Sequence, residues 1–140
     1  MSRPAHLFAV TIDCPDPMSL ALFYRGFLGG ELFSSNDDFV ALVTDDGGVR
    51  LDFQRVQNPE PPQWPAPDAP RRLHLDFAVD DLDESEERLL GLGAVPAGVQ
   101  PGGGRFRVLV DPAGHPFCVV ARTAASLDGA DAVRPGDRPA

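Results

Sequence analysis

The sequence contains no lysine; all 12 of its basic residues are arginines. Without a lysine amine the chain cannot form a Schiff base, use a low-pKa lysine as a base, or supply the phosphate-cradling lysine of a P-loop. Cysteine is nearly as scarce, and Cys14 and Cys118 alone cannot make a disulfide framework. No charged start followed by ~7 to 15 apolar residues marks a leader, so the expected compartment is the reducing cytoplasm. No run of ~18 apolar residues is present, so no membrane partner is expected. Basic charge is in deficit, with 12 Lys+Arg against 21 Asp+Glu and a net charge of -9. The phosphate-neutralising surface that nucleic-acid binding requires is therefore missing.

What is present fits one globular domain. The 140 residues fall within the ~100 to 200 typical of a domain. Pro and Gly together make up about a fifth of the chain, below the range of disordered or collagen-like sequences. From Leu7 to Cys14 the β-formers Phe8, Val10 and Ile12 predict a strand. Asp16-Pro17 then supplies a cap and a favoured first residue for a helix that Gly29-Gly30 ends through a left-handed cap. Three short strands follow, over Glu31 to Ser34, Phe39 to Val43 and Val49 to Val56, which completes a βαβββ unit.

Residues 58 to 72 are too rich in proline for a helix or a central strand and read as a linker. Beyond it Leu73 to Val79 alternates as a strand, and Asp81 to Leu92 reads as a helix ended by Gly93. Phe106 to Val110 and Phe117 to Val120 read as further strands. From residue 123 to 140 the chain is poor in apolar side chains and is expected to be a flexible tail.

The two halves repeat. Ala9 falls on His74 and Asp16 on Asp81, each pair 65 residues apart. The segments FVALVTDDGGVRLDF and FRVLVDPAGHPFCV align with one extra residue in the first, which matches Gly48 with Gly114 and Asp52 with Cys118. The expected fold is therefore α+β, with two tandem modules (5 to 57 and 73 to 122) in a single domain spanning 1 to 122.

This duplication, with the segments DCPDPMSLALFYRGFLGGEL, HLDFAVDDLD and DPAGHPFCVV, resembles the vicinal oxygen chelate superfamily over roughly residues 5 to 122. That superfamily includes glyoxalase I, extradiol dioxygenases and bleomycin-resistance proteins, and the chain looks like one of its small glyoxalase-like domain proteins. The resemblance implies an open, cup-shaped barrel built from the two modules, a homodimer, and a pocket that holds a divalent metal in some members. The implied ligand positions read Ala9, Asp52, His74 and Cys118 here. Ala9 has no donor atom, and Cys118 stands where many members have a glutamate. His6 lies an odd number of residues before Ala9 and would face the other side of the strand.

His74 shares a strand face with Asp76 and Ala78, opposite Leu73, Leu75 and Phe77. It is either a hydrogen-bonded strand histidine or a pocket group able to move a proton near neutral pH. Asp52, His74 and Cys118 offer O, N and S donors, which zinc accepts with a water, although a cysteine between Phe117 and Val119 also suits a buried core. Cys14 has no histidine near it in sequence and reads as packing. Phe23, Tyr24 and Phe27 read as core, Asp80 to Glu87 as a solvated helix face, and Arg105 and Arg107 as surface ion pairs.

The function expected from these readings is small-molecule binding: a metal-free cup that sequesters an apolar or aromatic compound, with the acidic balance favouring a cationic one. No cofactor is expected. The alternative is a lyase, isomerase or dioxygenase-like enzyme that uses His74, with or without a divalent metal. The ligand-binding residues expected are Trp64, His74, Asp52 and Cys118.

Trp64 is the only tryptophan, so its fluorescence has a single source. If it meets an aromatic ligand, binding quenches or shifts its emission saturably, and Trp64→Ala weakens binding by ~1 to 3 kcal/mol with the fold kept. If it seals the fold, no ligand perturbs the emission and Trp64→Ala costs ~3 to 5 kcal/mol of stability.

Overall fold

The computed structural model describes residues 4–57, 60, 73–126, 129, 131–133 and 136. Trp64, the linker except Glu60, and part of the 123 to 140 tail lie outside the described residues. The element order is β1 (Ala9–Cys14), α1 (Pro17–Leu28), β2 (Glu31–Asn36), β3 (Phe39–Val43), β4 (Arg50–Arg55), β5 (Asp76–Val79), α2 (Leu82–Leu92), β6 (Val95–Pro96), β7 (Phe106–Val110) and β8 (Pro116–Ala121). Two four-stranded sheets result, ordered β1-β4-β3-β2 and β5-β8-β7-β6, so the modules match strand for strand. In each, the first strand runs parallel to the last and the other neighbours are antiparallel. Neither sheet closes on itself, and the architecture is the α+β open cup that the resemblance implies. No helix among the described residues is long and apolar enough to cross a membrane.

The repeat holds at the level of single hydrogen bonds. Asp16 and Asp81 both sit in extended backbone and accept from the N–H three residues on, Ser19 at 3.2 Å and Glu84 at 2.9 Å. Thr11 pairs with Asp52 across β1–β4, and Asp76, its counterpart, pairs with Cys118 across β5–β8. The helix ends differ. Gly93 makes the left-handed cap of α2, whereas Gly29 has φ 73 with ψ 179, outside the left-handed helical region expected for it. Gly30, at φ 115, has no alternative, because a Cβ there would collide with the carbonyl oxygen of Val43.

Strand edges depart from the sequence reading in two places. β5 begins at Asp76, not Leu73, yet the Leu75 carbonyl still accepts from Cys118 N–H at 2.9 Å, so His74 stands just outside the ladder in strand-like register. β6 was not anticipated. Its two residues include Pro96, tolerated because this is the sheet edge.

Both helices pack on one face of the sheets, where the alternating residues Cys14, Leu51, Phe53, Val79, Phe117 and Val119 form a single core with Leu20, Phe23, Tyr24 and Leu89. Tyr24 stacks on Phe53 with centroids 5.7 Å apart and meets Phe117 edge-on at 6.1 Å, so its ring contacts both modules. Its hydroxyl donates to Asp111 Oδ2 at 2.6 Å, also across the modules, and Asp111 is itself buried. The second carboxylate oxygen accepts from the backbone N–H of Ala113 (2.9 Å) and His115 (3.0 Å), which fixes the β7–β8 turn.

Burial first, and then the charge and hydrogen bond of Asp111, hold the Tyr24 phenol well above its ordinary value of 10.0. Burial likewise pushes the Cys14 thiol from 9.0 up to about 11. Both groups stay protonated in the fold at pH values where the unfolded chain loses the proton. Stability is therefore complete below pH 9 and falls as pH rises through about 11 and beyond. Tyr24→Phe should remove the part of this fall that begins near pH 10, visible as a flatter alkaline limb of Tm against pH. At neutral pH it should cost ~1 to 3 kcal/mol, because Asp111 loses a buried donor.

Candidate functional site

The sheet faces turned away from the helices carry Ala9, Thr11 and Asp13 on β1, Arg50, Asp52 and Gln54 on β4, and Pro116 and Cys118 on β8, with His74 and Asp76 leading into β5. In the second module the β5–β8 register sets Cys118 opposite Asp76, and the Cys118 N–H to Leu75 bond centres the cysteine between His74 and Asp76. His74 Nδ1 lies 3.1 Å from Asp76 Oδ1. One donor atom each from His74, Asp76 and Cys118 lies within 4.8 Å of the other two. Cys118, only 2% exposed, forms the floor, while the other two side chains remain open to solvent. Neither cysteine is in a disulfide.

The first module does not add to this group. Asp52 is 3% exposed and accepts from Arg50 Nε and an Arg50 terminal nitrogen, each at 2.7 Å, one to each carboxylate oxygen. The guanidinium also lies over the Phe8 ring, 4.3 Å from its centroid. Asp52 was expected to join His74 and Cys118; instead its lone pairs are taken by a cation two residues away on the same strand face. Asp76 takes its place beside His74. The alternation of the sequence had already put Asp76 on the His74 face, two residues on, and that was the available signal.

A cleft of ≈ 400 Å³ opens where β1 meets the entry to β5 and the start of β8. Its walls are Val10, Ile12, Leu73, Leu75, Pro116 and Phe117, with Tyr24 also lining it. Thr11, Asp13, His74 and His115 supply the other polar groups. His115 Nε2 donates to the Asp13 carbonyl oxygen at 2.7 Å, which joins the two modules at the cleft and fixes that ring's tautomer. His115 was not anticipated as a site residue. Leu73, at the mouth, is 91% exposed.

The remaining candidates fall into place around these two features. Cys14 is buried with a raised pKa and belongs to the core, as expected. Arg107 pairs with Asp83 and Glu86 of α2, and Arg122 with Asp80, so the acidic run is a solvated face with ion pairs. Trp64 lies outside the described residues.

The profile of the family described as Glyoxalase-like domain matches residues 9–120, most of the chain. The chain belongs to the glyoxalase-like domain family. Among curated proteins none matches the sequence. Solved structures share the fold. A glyoxalase/bleomycin resistance protein/dioxygenase family enzyme from Burkholderia phytofirmans is 19% identical with a TM-score of 0.62, covering 82% of this chain and 97% of its own. The fosfomycin resistance protein FosX from Listeria monocytogenes is 20% identical with a TM-score of 0.64, covering 85% and 92%. A variant of FosX is also known in complex with Mn(II) and a dihydroxypropylphosphonic acid, at 17% identity, a TM-score of 0.63, and coverage of 86% and 91%.

FosX thus shows that this fold can hold a metal. A site drawing on both modules does not fit, because Ala9 has no donor atom and Arg50 occupies both oxygens of Asp52. Three donors in the second module alone do converge.

The Arg50–Asp52 pair gives a direct test. Arg50→Ala leaves a buried carboxylate without its partner and should lower Tm by several degrees. Adding Asp52→Asn to that variant should recover much of the loss, and the double-mutant cycle measures the coupling.

Proposed function

We propose that the protein binds a small, largely apolar or aromatic compound in the cleft between the modules. The observation that carries this reading is the cleft's composition: apolar walls of Val10, Ile12, Leu75 and Phe117 with a few convergent polar groups, His74 and His115 foremost. Such a surface desolvates a flat ligand while one or two hydrogen bonds orient it. Binding of this kind requires no metal. The net charge of -9 and Asp13 in the wall favour a compound that carries an amine. Self-association into a homodimer is part of the same proposal, supported by the exposed apolar side chains of Leu7, Phe8 and Leu73 on the segments entering the cleft.

One observation favours a second reading, a His74-dependent lyase, isomerase or dioxygenase-like enzyme. Asp76 lies within hydrogen-bond reach of His74 Nδ1, and a proton held there leaves the Nε2 lone pair available to accept one from a substrate. The pairing of an imidazole with an orienting carboxylate is the minimum such chemistry requires.

Amide and side-chain NMR resonances read both. Aromatic amines that bind should shift Thr11, His74 and His115 together and saturably, and His74→Ala should weaken them by about tenfold, ~1.4 kcal/mol. Shifts confined to other surfaces, or affinity unchanged in His74→Ala, would sink the cleft proposal. Turnover of a bound compound, lost in Asp76→Asn with affinity kept, would favour the enzyme.

A further inference from the structure

We infer that the compound taken by the cleft is peptidic: a short peptide with a free amino terminus that adds as an extra strand to the open edge of β1 at Thr11. This rests on the cleft reading and names its class of ligand. Among the described residues β1 is an edge strand, paired only with β4. The parallel ladder uses the backbone of alternate β1 residues. The Phe8 carbonyl accepts from Arg50 N–H at 3.3 Å and the Cys14 carbonyl from Val56 N–H at 3.0 Å. In a strand the N–H and C=O of one residue point to the same side, and those of the next residue to the other. The even-numbered residues from Phe8 to Cys14 therefore face β4, and Thr11 turns both of its groups outward. Neither group has a hydrogen-bond partner among the described residues. Val10, Thr11 and Ile12 line the cleft, so this edge opens into it. The next outward carbonyl, that of Asp13, already accepts a lateral bond, from His115 Nε2 at 2.7 Å.

An open edge is a template for another extended chain, with main-chain bonds supplying affinity and side-chain contacts specificity. The occupied Asp13 carbonyl sets where the added strand ends. In antiparallel addition, a ligand residue opposite Thr11 donates its N–H to the Thr11 carbonyl and accepts the Thr11 N–H on its own carbonyl. The residue before it lies opposite Ile12 and, as the first of the peptide, brings its ammonium group towards Asp13. The charge is complementary there, since Asp13 lines the cleft and the chain carries a net charge of -9. Residues directly opposite one another share a sheet face. The first side chain thus falls on the side of Ile12, where Tyr24 and Phe117 complete an apolar wall. An aromatic or large aliphatic first residue fits that wall. A simple aromatic amine uses the wall and Asp13 but leaves the backbone pair of Thr11 unused.

The test titrates the full chain with three compounds: phenylalanyl-alanine amide, the same peptide N-methylated at its alanine, and phenethylamine. The methylated peptide lacks the donor for the Thr11 carbonyl, and phenethylamine keeps the ring and the amine without any amide. The unmodified peptide should bind about tenfold more tightly than either, the effect of one or two hydrogen bonds. At saturation, hydrogen exchange at the Thr11 N–H should slow by about tenfold or more, while the Val10 and Ile12 N–H groups, already in the ladder, change little. Thr11→Pro removes the outward N–H and leaves the β1–β4 bonds in place, as an edge strand permits. It should weaken the peptide by about tenfold, and Thr11→Val, which keeps the N–H, should weaken it less. Equal affinity for the peptide and its methylated form, or Thr11→Val as damaging as Thr11→Pro, overturns the inference. If Thr11→Pro fails to fold, the methylated peptide decides. Slow Thr11 exchange without peptide that strengthens with protein concentration assigns the edge to a second copy of the chain and also overturns it. Phenethylamine bound as tightly as the peptide leaves the cleft reading standing and removes only this inference, whereas binding of neither removes both.

Discussion

The hydrogen bond from Tyr24 to Asp111 joins the two halves of a duplicated chain at their buried centre, and the geometry of the cleft follows from it. A carboxylate this deeply buried is tolerable only when its oxygens are occupied. Asp111 meets that requirement with the phenol on one oxygen and two turn N–H groups on the other. One of those N–H groups belongs to His115, whose ring reaches back across the modules to the Asp13 carbonyl. Helix α1, the β7–β8 turn and the end of β1 are thus closed into one loop of hydrogen bonds around the inner end of the cleft. Loss of the phenol would loosen the wall that carries His115 as well as the core.

Duplication supplied two equivalent sets of inward positions, and single residues sent them different ways. The repeat places Arg50 opposite Ala9 in the first module, where the second has Pro116 leading into β8 after His74. Arg50 turns its guanidinium onto Asp52, so the inward carboxylate of the first module becomes a neutralised structural pair. Proline has no side-chain donor to offer. Asp76 and Cys118, the counterparts of Thr11 and Asp52, are left facing His74 instead. The chemistry of the chain is therefore asymmetric although its backbone is not.

Much of this was legible in the residues. The caps Asp16 and Asp81 and the turn glycines recur at fixed offsets because helix starts and tight turns demand particular residues, and from them the modules could be placed. His74 and Cys118 stood out by position, and the structure brings both beside Asp76. Asp76 was passed over although period-two alternation put it on the correct face, because a ligand set drawn from family positions directed attention to Asp52. The pairing that removes Asp52 was also readable, since opposite charges two residues apart on one strand share a face. Less accessible were β6, whose two residues are too few for a pattern, and the cleft, which arises from the relative placement of β1, β5 and β8 that no local signal encodes.

The absence of lysine acquires a structural meaning once the arginines are followed. Arg50 is held by Asp52, Arg107 by Asp83 and Glu86, Arg122 by Asp80, and Arg88 by the Gly26 carbonyl between the helices. Arg55 reaches the Pro15 and Asp37 carbonyls and the Asp38 carboxylate. None of these guanidinium groups lines the cleft, whose polar groups among the described residues are hydroxyls, two histidines and Asp13. An anionic ligand entering there would surrender its hydration without meeting a guanidinium. Under the proposed reading, the amine of a ring compound would find Asp13 and the acidic field of the whole chain in its favour. The arginines named here bind the frame to itself and bring no cation to the cleft.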